Sequence, residues 1–401
     1  MLSLKCDISD NDIEKALGRL LRELKGGLNR VLLIVPDFTR FHSKAGFIAN
    51  ALYHKLEPRC RVDLLQALGT HLPMTREQCA AMYGGIPFER FIPHNWRRDV
   101  IKLGEMPGAF VREISGGLMD APVDVEVNKL LFDGYDHILS IGQVVPHEVA
   151  GMANHAKNIF VGCGGAAMIN ASHMLGAFYG IERVMGRTET PVRQVFDYAA
   201  ERFLADLPLT YILTVTTAPE GETVGLFIGQ GRGCFEEAAA LARQKNITLL
   251  DAPLKKVVVN LDEREYQSMW LGNKAIYRTR MAIADGGELV ILAPGVERFG
   301  EDEAIDALIR KYGYRGREEV IKLYHENADL RENMSAAAHL IHGSSDGRFS
   351  ITYCTRHLTE AEVTGVGFNY MPYDEAVSHF GEGGYPIKNP ALGLWSARRL
   401  G

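Results

Sequence analysis

The sequence contains no long apolar segment and no cluster of positive charge, and each absence excludes a class of protein. None of its apolar runs reaches the roughly 18–20 residues that a membrane-spanning helix needs. With 44 Lys and Arg against 50 Asp and Glu, the net charge is −6, and there is no basic tract. Nucleic acid is therefore not an expected partner. Residues 1–7 lack the basic start and apolar core of a signal peptide, so no secretion is expected.

The six cysteines are scattered and form no Cys-x-x-Cys pair. A disulfide framework or a closed zinc site is therefore not expected, and the simplest interpretation is a cytoplasmic protein with free thiols. Only Cys163, inside the glycine-rich segment 162–165, lies near the residues discussed below. It is interpreted as a packing residue, because no cysteine–histidine signature surrounds it.

Strand-like and helix-like patterns alternate along the first 150 residues. The apolar run Val31–Val35 is typical of a buried strand, and a helical stretch over Ala45–Leu56 and a strand over Arg61–Leu68 follow it. A further helix begins after Thr75, where Gln78 completes a capping box. This alternation predicts an α/β fold with mainly parallel sheets, in which functional groups gather beyond the carboxyl ends of the strands.

The chain of 401 residues is long enough to predict two α/β domains. Six more elements are expected: helices over 191–204 and 234–245, and strands over 209–216, 223–228, 256–260 and 288–293. We predict a first, catalytic domain of residues 1–252, to which a short helix over 389–401 returns. A second domain over 253–388 would determine substrate specificity, and a cleft between the two would hold the site.

Polar side chains follow three of the predicted strands. Asp37 and Arg40 come after the first, His71 after the second, and His147 after the strand at 137–141. An arginine at a strand end can hold a carboxylate or phosphate with two parallel hydrogen bonds, although a surface ion pair is the alternative. Two histidines at neighbouring strand ends could act alternately as acid and base. The alternative is that each histidine is a hydrogen-bonded structural residue.

Lys157 and His173 complete the set of candidate residues. Lys157 is interpreted either as an amine held close to a cofactor or as a solvated lysine. His173 could bind a metal through a neutral imidazole, but no His-x-x-x-His or His-Glu-x-x-His pattern surrounds it, so a zinc hydrolase is not favoured. The turn at 229–233 lacks the G-x-G-x-x-G spacing of a dinucleotide site and is interpreted as a tight connection between strand and helix.

In this order the motifs resemble the lactate racemase family of nickel-pincer enzymes. The His–Lys–His spacing is the most specific part of the resemblance, which spans about residues 30 to 300, because Tyr266-Gln267 and the turn at 285–287 also fit the second domain. The motifs that carry it are Asp37 with Arg40, His71, the Pro-His-Glu-x-x-Gly segment at 146–151, Lys157 and His173.

The resemblance implies a nickel-pincer nucleotide, a pyridinium mononucleotide that places two sulfur donors and one carbon donor around nickel. Lys157 would tether this cofactor through a thioamide, His173 would complete a planar four-coordinate nickel site, and His71 and His147 would be the catalytic acid/base residues. The other contacts that the resemblance implies are Asp37, Thr39, Arg40, Gly164 and Gly165 with the cofactor, and Arg40, Tyr266, Gln267, Trp270 and Lys274 with the substrate.

An enzyme of this family inverts C2 of a 2-hydroxy acid. The α-hydrogen passes to the cofactor as a hydride while a histidine takes the hydroxyl proton, and return to the opposite face of the 2-keto acid inverts the centre. Two positions depart from the family. Asn154-His155-Ala156 contains no glycine, where a glycine pair commonly precedes the lysine. Trp270 stands where lactate racemase itself has a substrate-binding lysine, so the carboxylate contact in the second domain would be altered or would have moved to Lys274 or Arg278.

The predicted function is therefore a racemase or epimerase of a 2-hydroxy acid other than lactate, such as a larger or polyhydroxylated acid. Two alternatives stay open. A nicotinamide-dependent 2-hydroxy acid dehydrogenase would need the dinucleotide fingerprint that is missing here. A non-catalytic carrier of the nickel cofactor would keep Lys157 and His173 but would have no need of two acid/base histidines. Besides the small-molecule substrate, the expected partners are cofactor-synthesis proteins in transient contact; the oligomeric state is left open.

Overall fold

The computed structural model divides the chain into two compact units. It describes residues 1–24, 27–217, 221–380, 385–388, 390 and 393–397. The first unit contains residues 1–172 and 188–245, and the second contains residues 173–187 and 246–401. Within the described residues, no helix is both long and apolar enough to cross a membrane.

The first unit is built on a sheet of seven strands in the order β1-β11-β10-β7-β2-β3-β4. The strands of this unit are β1 (Leu2–Lys5), β2 (Arg30–Val35), β3 (Arg61–Gln66), β4 (Phe91–Pro93), β5 (Val100–Met106), β6 (Val123–Asn128), β7 (His137–Gln143), β8 (Pro146–His147), β9 (Gly151–Met152), β10 (Leu209–Thr216) and β11 (Thr223–Gly229). From β10 to β4 the neighbours are parallel, whereas β11 pairs antiparallel with both β10 and β1. Two short antiparallel pairs, β5 with β6 and β8 with β9, stand apart from the main sheet.

Helices cover this sheet because the parallel strands are apolar along almost their whole length. The helices that begin before residue 245 are α1 (Asp10–Glu23), α2 (Ala45–Leu56), α3 (Arg76–Tyr83), α4 (Gly108–Ser115), α5 (Ala166–Tyr179), α6 (Ile181–Val184), α7 (Pro191–Phe203) and α8 (Arg232–Asn246). Shorter helical turns lie at Phe38–Ser43, Phe88–Arg90, Lys129–Phe132 and Asn158–Gly162. Leu17 of α1 and Leu52 of α2 pack with Leu33 of β2 in one buried cluster, which holds these helices on the sheet.

The second unit contains a sheet of five parallel strands in the order β16-β15-β14-β13-β17. The strands of this unit are β12 (Ile247–Leu249), β13 (Leu254–Asn260), β14 (Ile283–Leu292), β15 (Phe349–Cys354), β16 (Asn369–Tyr370), β17 (Tyr385–Lys388) and β18 (Leu394–Ser396). Its later helices are α9 (Met269–Gly272), α10 (Lys274–Thr279), α11 (Glu303–Tyr312), α12 (Arg317–Glu326), α13 (Ala328–Glu332), α14 (Met334–His342), α15 (Glu360–Gly365) and α16 (Tyr373–Phe380).

The predicted fold class is confirmed, and most element positions agree with the sequence patterns. The helix Ala45–Leu56 has the predicted bounds, and Thr75 and Gln78 form the expected capping box. The short helix expected over 389–401 is wrong where the structure describes that segment. Leu394–Ser396 are extended and pair with Ile247–Leu249, because their backbone hydrogen bonds complete a small parallel ladder.

The two units divide the chain differently from the predicted domains. Residues 173–187 lie in the second unit, because Glu182 accepts hydrogen bonds from Arg280 at 3.3 Å and Arg348 at 2.9 Å. Arg317 adds a bond of 2.6 Å to the carbonyl oxygen of Phe178. The last residues also belong to the second unit, and the change between units near residue 245 comes slightly before the expected boundary at 252.

Candidate active site

Three neighbouring strands bring the predicted polar residues to one edge of the first unit's sheet. Strands β7, β2 and β3 lie side by side and run parallel, so their carboxyl ends share an edge. Asp37 follows β2, His71 follows β3 and His147 lies in β8, four residues beyond the end of β7. The structure thus gathers at the same edge three side chains from positions 37 to 147 of the chain.

Asp37 is bound to His71. Its side chain caps the helical turn Phe38–Ser43 by accepting a hydrogen bond from the Thr39 amide at 3.0 Å, and a second from the Thr39 hydroxyl at 2.5 Å. Its other oxygen is hydrogen-bonded to Nδ1 of His71. Burial acts to raise the pKa of Asp37, but the charges and hydrogen bonds of His71, Thr39 and Arg40 outweigh it and hold this pKa well below its usual value. Asp37 is therefore a carboxylate that orients an imidazole.

His147 accepts hydrogen bonds from the backbone of its own turn. Its ring is buried, and Nδ1 accepts hydrogen bonds from the backbone N–H groups of Val149 at 3.1 Å and Ala150 at 3.3 Å. Gly151, in which φ is +77°, then lets the chain turn back so that β9 can pair with β8. The backbone of the local Pro-His-Glu-x-x-Gly sequence therefore helps to fix the orientation of this ring.

The amine of Lys157 is perturbed in the direction expected for a nucleophile. Burial lowers its pKa to about 8 from an ordinary 10.5, and the positive charge of Arg40 adds to the effect, while Glu148 and Asp37 oppose it. A larger fraction of this amine is neutral near pH 7 than in an ordinary lysine. The same electrostatic contributions show that Lys157 lies within the field of the Asp37–Arg40 turn.

Arg40 has a buried guanidinium nitrogen in the same region. Its Nη1 atom is buried and has no hydrogen-bond partner among the residues that the structure describes. Leaving a buried guanidinium N–H unbonded costs free energy, so such an atom indicates a ligand that supplies an acceptor. A phosphate or carboxylate oxygen would satisfy it, which agrees with the role predicted for this arginine.

The glycines near the site serve close backbone packing. A Cβ at Gly164 would lie 1.8 Å from the carbonyl oxygen of Phe160, and one at Gly165 would lie 2.2 Å from Oε2 of Glu126. The carbonyl oxygen of Gly164 is also hydrogen-bonded to Nε2 of His94 at 2.9 Å. These contacts explain both glycines without a ligand, so their contact with a cofactor stays a prediction.

The segment before Lys157 adopts the conformation that glycines favour, although it contains none. Asn154 and His155 have φ angles of +68° and +58°, in the left-handed region that costs most residues about 1 kcal/mol or more. Arg193 compensates by donating from Nη2 to the carbonyl oxygen of Met152 at 2.5 Å, and from Nη1 to that of Asn154 at 3.4 Å.

His155 is locked in this position by two aromatic rings. Its ring centroid lies 4.1 Å from that of Tyr211 and 5.4 Å from that of Phe235, over which Arg193 also lies. Burial, together with the charge of Arg193, lowers the pKa of His155 to about 3, so the ring is neutral. The structural roles of Arg193 and His155 were not predicted from the sequence. The available signal was Arg193 itself, a charged residue between Val192 and Val195 on the buried face of α7.

The remaining predicted residues belong to the second unit. His173 is a half-buried residue of α5, and it is counted with this unit. Trp270 stacks on His339 with ring centroids 4.1 Å apart, and Tyr266 and Lys274 are buried. Gln267 accepts a backbone hydrogen bond from Glu297. Within the part of the chain that the structure describes, no group of three or more His, Cys, Asp or Glu is arranged to hold a metal ion.

The fold and these side chains define an α/β protein in which polar and ionisable residues gather at the carboxyl ends of parallel strands. Residues 9–184 match the family model of the lactate racemase N-terminal domain. Lactate racemase from Thermoanaerobacterium thermosaccharolyticum is 24% identical over 347 residues, which cover 80% of this chain and 76% of that enzyme. Lactate racemase from Lactiplantibacillus plantarum is 24% identical over 289 residues, or 68% of this chain and 62% of that enzyme.

Solved structures show the same fold. A crystal structure of a protein from Thermotoga maritima matches with a TM-score of 0.88 and 25% identity, covering 98% of this chain and 99% of that one. The lactate racemase apoprotein from Thermoanaerobacterium thermosaccharolyticum matches with a TM-score of 0.71 and 19% identity, covering 99% and 94%. The resemblance to the lactate racemase family that the motifs indicated is confirmed, and the family model that matches is that of the N-terminal domain, over residues 9–184.

Proposed function

We propose that this protein is a racemase or epimerase that inverts C2 of a 2-hydroxy acid with the help of a nickel-pincer nucleotide. The observation that carries the proposal is the Asp37–His71 pair, set at the same sheet edge as His147. A histidine whose Nδ1 is bound to a carboxylate has Nε2 available for a substrate proton, and the carboxylate stabilises the resulting imidazolium.

The residues present fit the cofactor. Lys157, with its lowered pKa, suits a covalent thioamide tether, and the unbonded Nη1 of Arg40 suits an anionic group of the nucleotide or of the substrate. His173 would supply a single imidazole to nickel, the pincer itself supplying the other donors. That scheme needs no protein cluster of metal ligands. When bound, the cofactor supplies an acceptor and donor for the α-hydrogen as a hydride.

The chain's own residues manage the proton and the carboxylate. Arg40 would hold the substrate carboxylate, so that the C2 hydroxyl lies toward the histidines. Nε2 of His71 would take the hydroxyl proton, and Asp37 would stabilise the charge that His71 gains. His147 would contact the same oxygen or, after the keto acid reorients, the oxygen of the opposite epimer.

The second unit is proposed to select the acid. Trp270 is held flat against His339, and by the resemblance of the motifs it would stand where lactate racemase itself has a substrate-binding lysine. A ring there offers an apolar surface instead of a cation, so the substrate's chain beyond C2 is expected to differ from the methyl group of lactate. Lys274, together with Tyr266 and Gln267, is the candidate for the remaining polar contacts.

The test uses protein produced together with the cofactor-synthesis enzymes and incubated in heavy water with single epimers of several 2-hydroxy acids. Inversion without deuterium at C2 is expected, because the hydrogen returns from the site rather than from solvent. Inversion with full deuterium uptake would point to proton abstraction and would contradict the proposal. Net formation of keto acid that depends on added NAD would instead support a dehydrogenase.

A further inference from the structure

We propose that His94 and Asn128 are positioning residues of the site described above. They hold the glycine-rich segment 162–165 and, through it, the turn that follows Lys157. Neither residue was a candidate from the sequence, and neither takes part in the proton steps. The importance of this pair for the reaction rests on the proposed function, but the contacts that support it lie within the first unit and can be tested without cofactor.

His94 lies at the same sheet edge as the candidate catalytic residues, but its ring is buried. Strand β4 ends at Pro93 and runs parallel to β3, so His94 follows the carboxyl end of the strand next to that of His71. His94 is only 4% exposed, whereas the side chain of His71 is 28% exposed. A buried histidine at this edge is suited to holding the backbone in place rather than to exchanging a proton with a substrate.

Both ring nitrogens of His94 are bonded, and their partners define one neutral tautomer. Nε2 lies 2.9 Å from the carbonyl oxygen of Gly164, which can only accept, so Nε2 carries the proton. Nδ1 lies 2.9 Å from Nδ2 of Asn128, whose Oδ1 already accepts a hydrogen bond from the Leu130 amide at 3.0 Å. The Asn128 amide therefore donates to Nδ1. Burial lowers the pKa of His94, which favours the same neutral ring.

The glycine-rich segment is bonded to the backbone on two sides. On one side, the N–H group of Asn128 donates to the carbonyl oxygen of Cys163 at 2.7 Å. On the other side, the N–H group of Gly69, two residues before His71, donates to the carbonyl oxygen of Gly162 at 2.9 Å. The segment thus connects β6 to the loop that carries a candidate catalytic histidine.

The sequence of this segment makes it dependent on its neighbours. Three of its four residues are glycines, so it has almost no side chains with which to fix its own path. A Cβ at Gly164 would lie 1.8 Å from the carbonyl oxygen of Phe160, so a larger residue cannot replace this glycine. Glycine also loses more conformational freedom on folding than any other residue. The hydrogen bond from His94 to Gly164 offsets that loss.

The segment in turn fixes the residues that follow Lys157. The N–H group of Cys163 donates to the carbonyl oxygen of Asn158 at 3.0 Å, which closes the turn Asn158–Gly162. The side chain of Asn158 also donates to the Ser140 hydroxyl of β7 at 3.0 Å. Burial lowers the pKa of Lys157 to about 8, and this burial depends on the position of the turn. Losing the bonds of His94 should therefore let water reach the amine and raise its pKa.

The decisive experiment measures the pKa of Lys157 in the full chain produced without cofactor. Acetic anhydride labels the protein in competition with a reference amine between pH 7 and pH 10, and mass spectrometry of the peptide reports the labelling of Lys157. His94→Phe keeps a ring but removes both of its hydrogen bonds, so we expect the pKa of Lys157 to rise by about one pH unit. An unchanged pKa in folded His94→Phe would overturn the inference, even if the melting temperature falls.

Two further variants show whether the hydrogen bonds, rather than the ring, are responsible. The amide of His94→Gln can donate to Gly164 and accept from Asn128, so it should keep the pKa of Lys157 within about 0.3 pH unit of the natural protein. Asn128→Ser retains an N-cap for the turn Lys129–Phe132 but cannot reach Nδ1 of His94, and it should cause about half the shift. If His94→Phe does not fold, the absence of a shift in Asn128→Ser would overturn the inference.

His137→Phe is the matched control. His137 begins β7, at the opposite edge of the same sheet, is hydrogen-bonded to Thr210 at 3.1 Å, and has a pKa that burial also lowers. Its replacement should leave the pKa of Lys157 unchanged. A shift as large as that of His94→Phe would show a general loosening of the sheet and would contradict a specific role of His94. The charges that act on Lys157 are the same in all these variants.

Cofactor loading separates this inference from the proposed function. Each variant is produced together with the cofactor-synthesis enzymes, and the mass of the intact chain and its nickel content are measured. We expect the loaded fraction to fall by about tenfold in His94→Phe and to stay within about twofold in His94→Gln and His137→Phe. Full loading of His94→Phe would contradict the inference. The expected pKa shifts, together with a natural protein that takes up no cofactor, would refute the proposed function alone.

Discussion

His71 in the first unit and His339 in the second show two opposite uses of one side chain. Nδ1 of His339 is bonded to the Tyr277 hydroxyl and Nε2 to the Tyr314 hydroxyl, both at 2.8 Å, and its face is covered by Trp270. Within the part of the chain that the structure describes, the ring of His71 is anchored by Asp37 at Nδ1 and not at Nε2, and its side chain remains 28% exposed. A ring held at both nitrogens serves as a platform, whereas a ring held at one nitrogen can transfer a proton.

The same contrast applies to the surroundings of the two rings. At the strand ends of the first unit, the pKa values of Asp37 and Lys157 are both lowered. Nη1 of Arg40 has no hydrogen-bond acceptor among the described residues. The region around His339 is an aromatic stack bonded by tyrosine hydroxyls. Ionisable groups with shifted pKa values are typical of catalytic sites, whereas packed aromatic rings stabilise the structure. Substitutions in the two regions should therefore have different effects.

The largest expected effect on activity comes from removing the His71 ring. His71→Ala should lower kcat by about 1,000-fold or more, because the site loses its proton acceptor, while the melting temperature changes little since the ring is partly exposed. Activity of the cofactor-loaded enzyme and thermal unfolding would be measured on the same preparation. A loss of less than tenfold would remove His71 from the chemistry.

Removing the His339 ring should instead mainly lower the stability of the protein. His339→Ala leaves the buried hydroxyls of Tyr277 and Tyr314 without this partner and opens a cavity beneath Trp270, so we expect a loss of about 3 kcal/mol in unfolding free energy. Denaturant unfolding would measure it. His339→Gln, which keeps polar atoms in the cavity, should recover part of the loss, and an unchanged stability would contradict the platform role.

A smaller and pH-dependent effect is expected at Lys157. Because its pKa is lowered to about 8, the folded state bears a cost for the charged amine below that pH, and stability should rise between pH 8 and the ordinary value of 10.5. Lys157→Met removes this cost and should stabilise the protein by about 2 kcal/mol at pH 7. The gain should fade towards zero above about pH 10.5. Urea unfolding at pH 7, 9 and 10.5 would check this sign, and a gain that grows with pH would contradict it.

The smallest effect is expected at Cys163. Burial raises the pKa of this thiol far above its usual value, so it should resist alkylation at pH 8 while the exposed Cys6 reacts. Mass spectrometry after treatment with iodoacetamide would compare the two. Cys163→Ala should keep kcat within about twofold, and rapid labelling of Cys163 in the folded chain would reopen its role in the chemistry.

The sequence predicted the fold well where periodicity is strong. Strands such as Arg30–Val35 are apolar after their first residue, and the apolar pattern of the helix Ala45–Leu56 is equally clear. The pair β5 and β6 was missed because its strands mix charged and apolar residues. The placement of residues 173–187 was missed because it depends on ion pairs of Glu182 with arginines about 100 to 170 residues later. No local pattern records such contacts.

The candidate site was predictable as a set of positions but not as a set of contacts. Asp37, His71 and His147 lie at one edge because their strands are neighbours in the sheet. The sequence showed that each residue follows a strand. The bond from Asp37 to His71 was not predicted; it gives the carboxylate a role in positioning the imidazole besides the cofactor contact that the resemblance implies. The opposite hydrogen bonding of the two histidines also follows only from coordinates, since both follow strands in similar turns.

The backbone at Asn154 and His155 has a consequence for how such proteins diverge. The two left-handed residues are held by Arg193, nearly 40 positions later, and by the rings of Tyr211 and Phe235. A glycine pair would reach the same conformation without these contacts. An exchange of a glycine pair for these two residues would therefore have been tolerated only when the distant arginine and aromatic residues were already present. A search pattern that demands glycines before the lysine would overlook every descendant of that exchange.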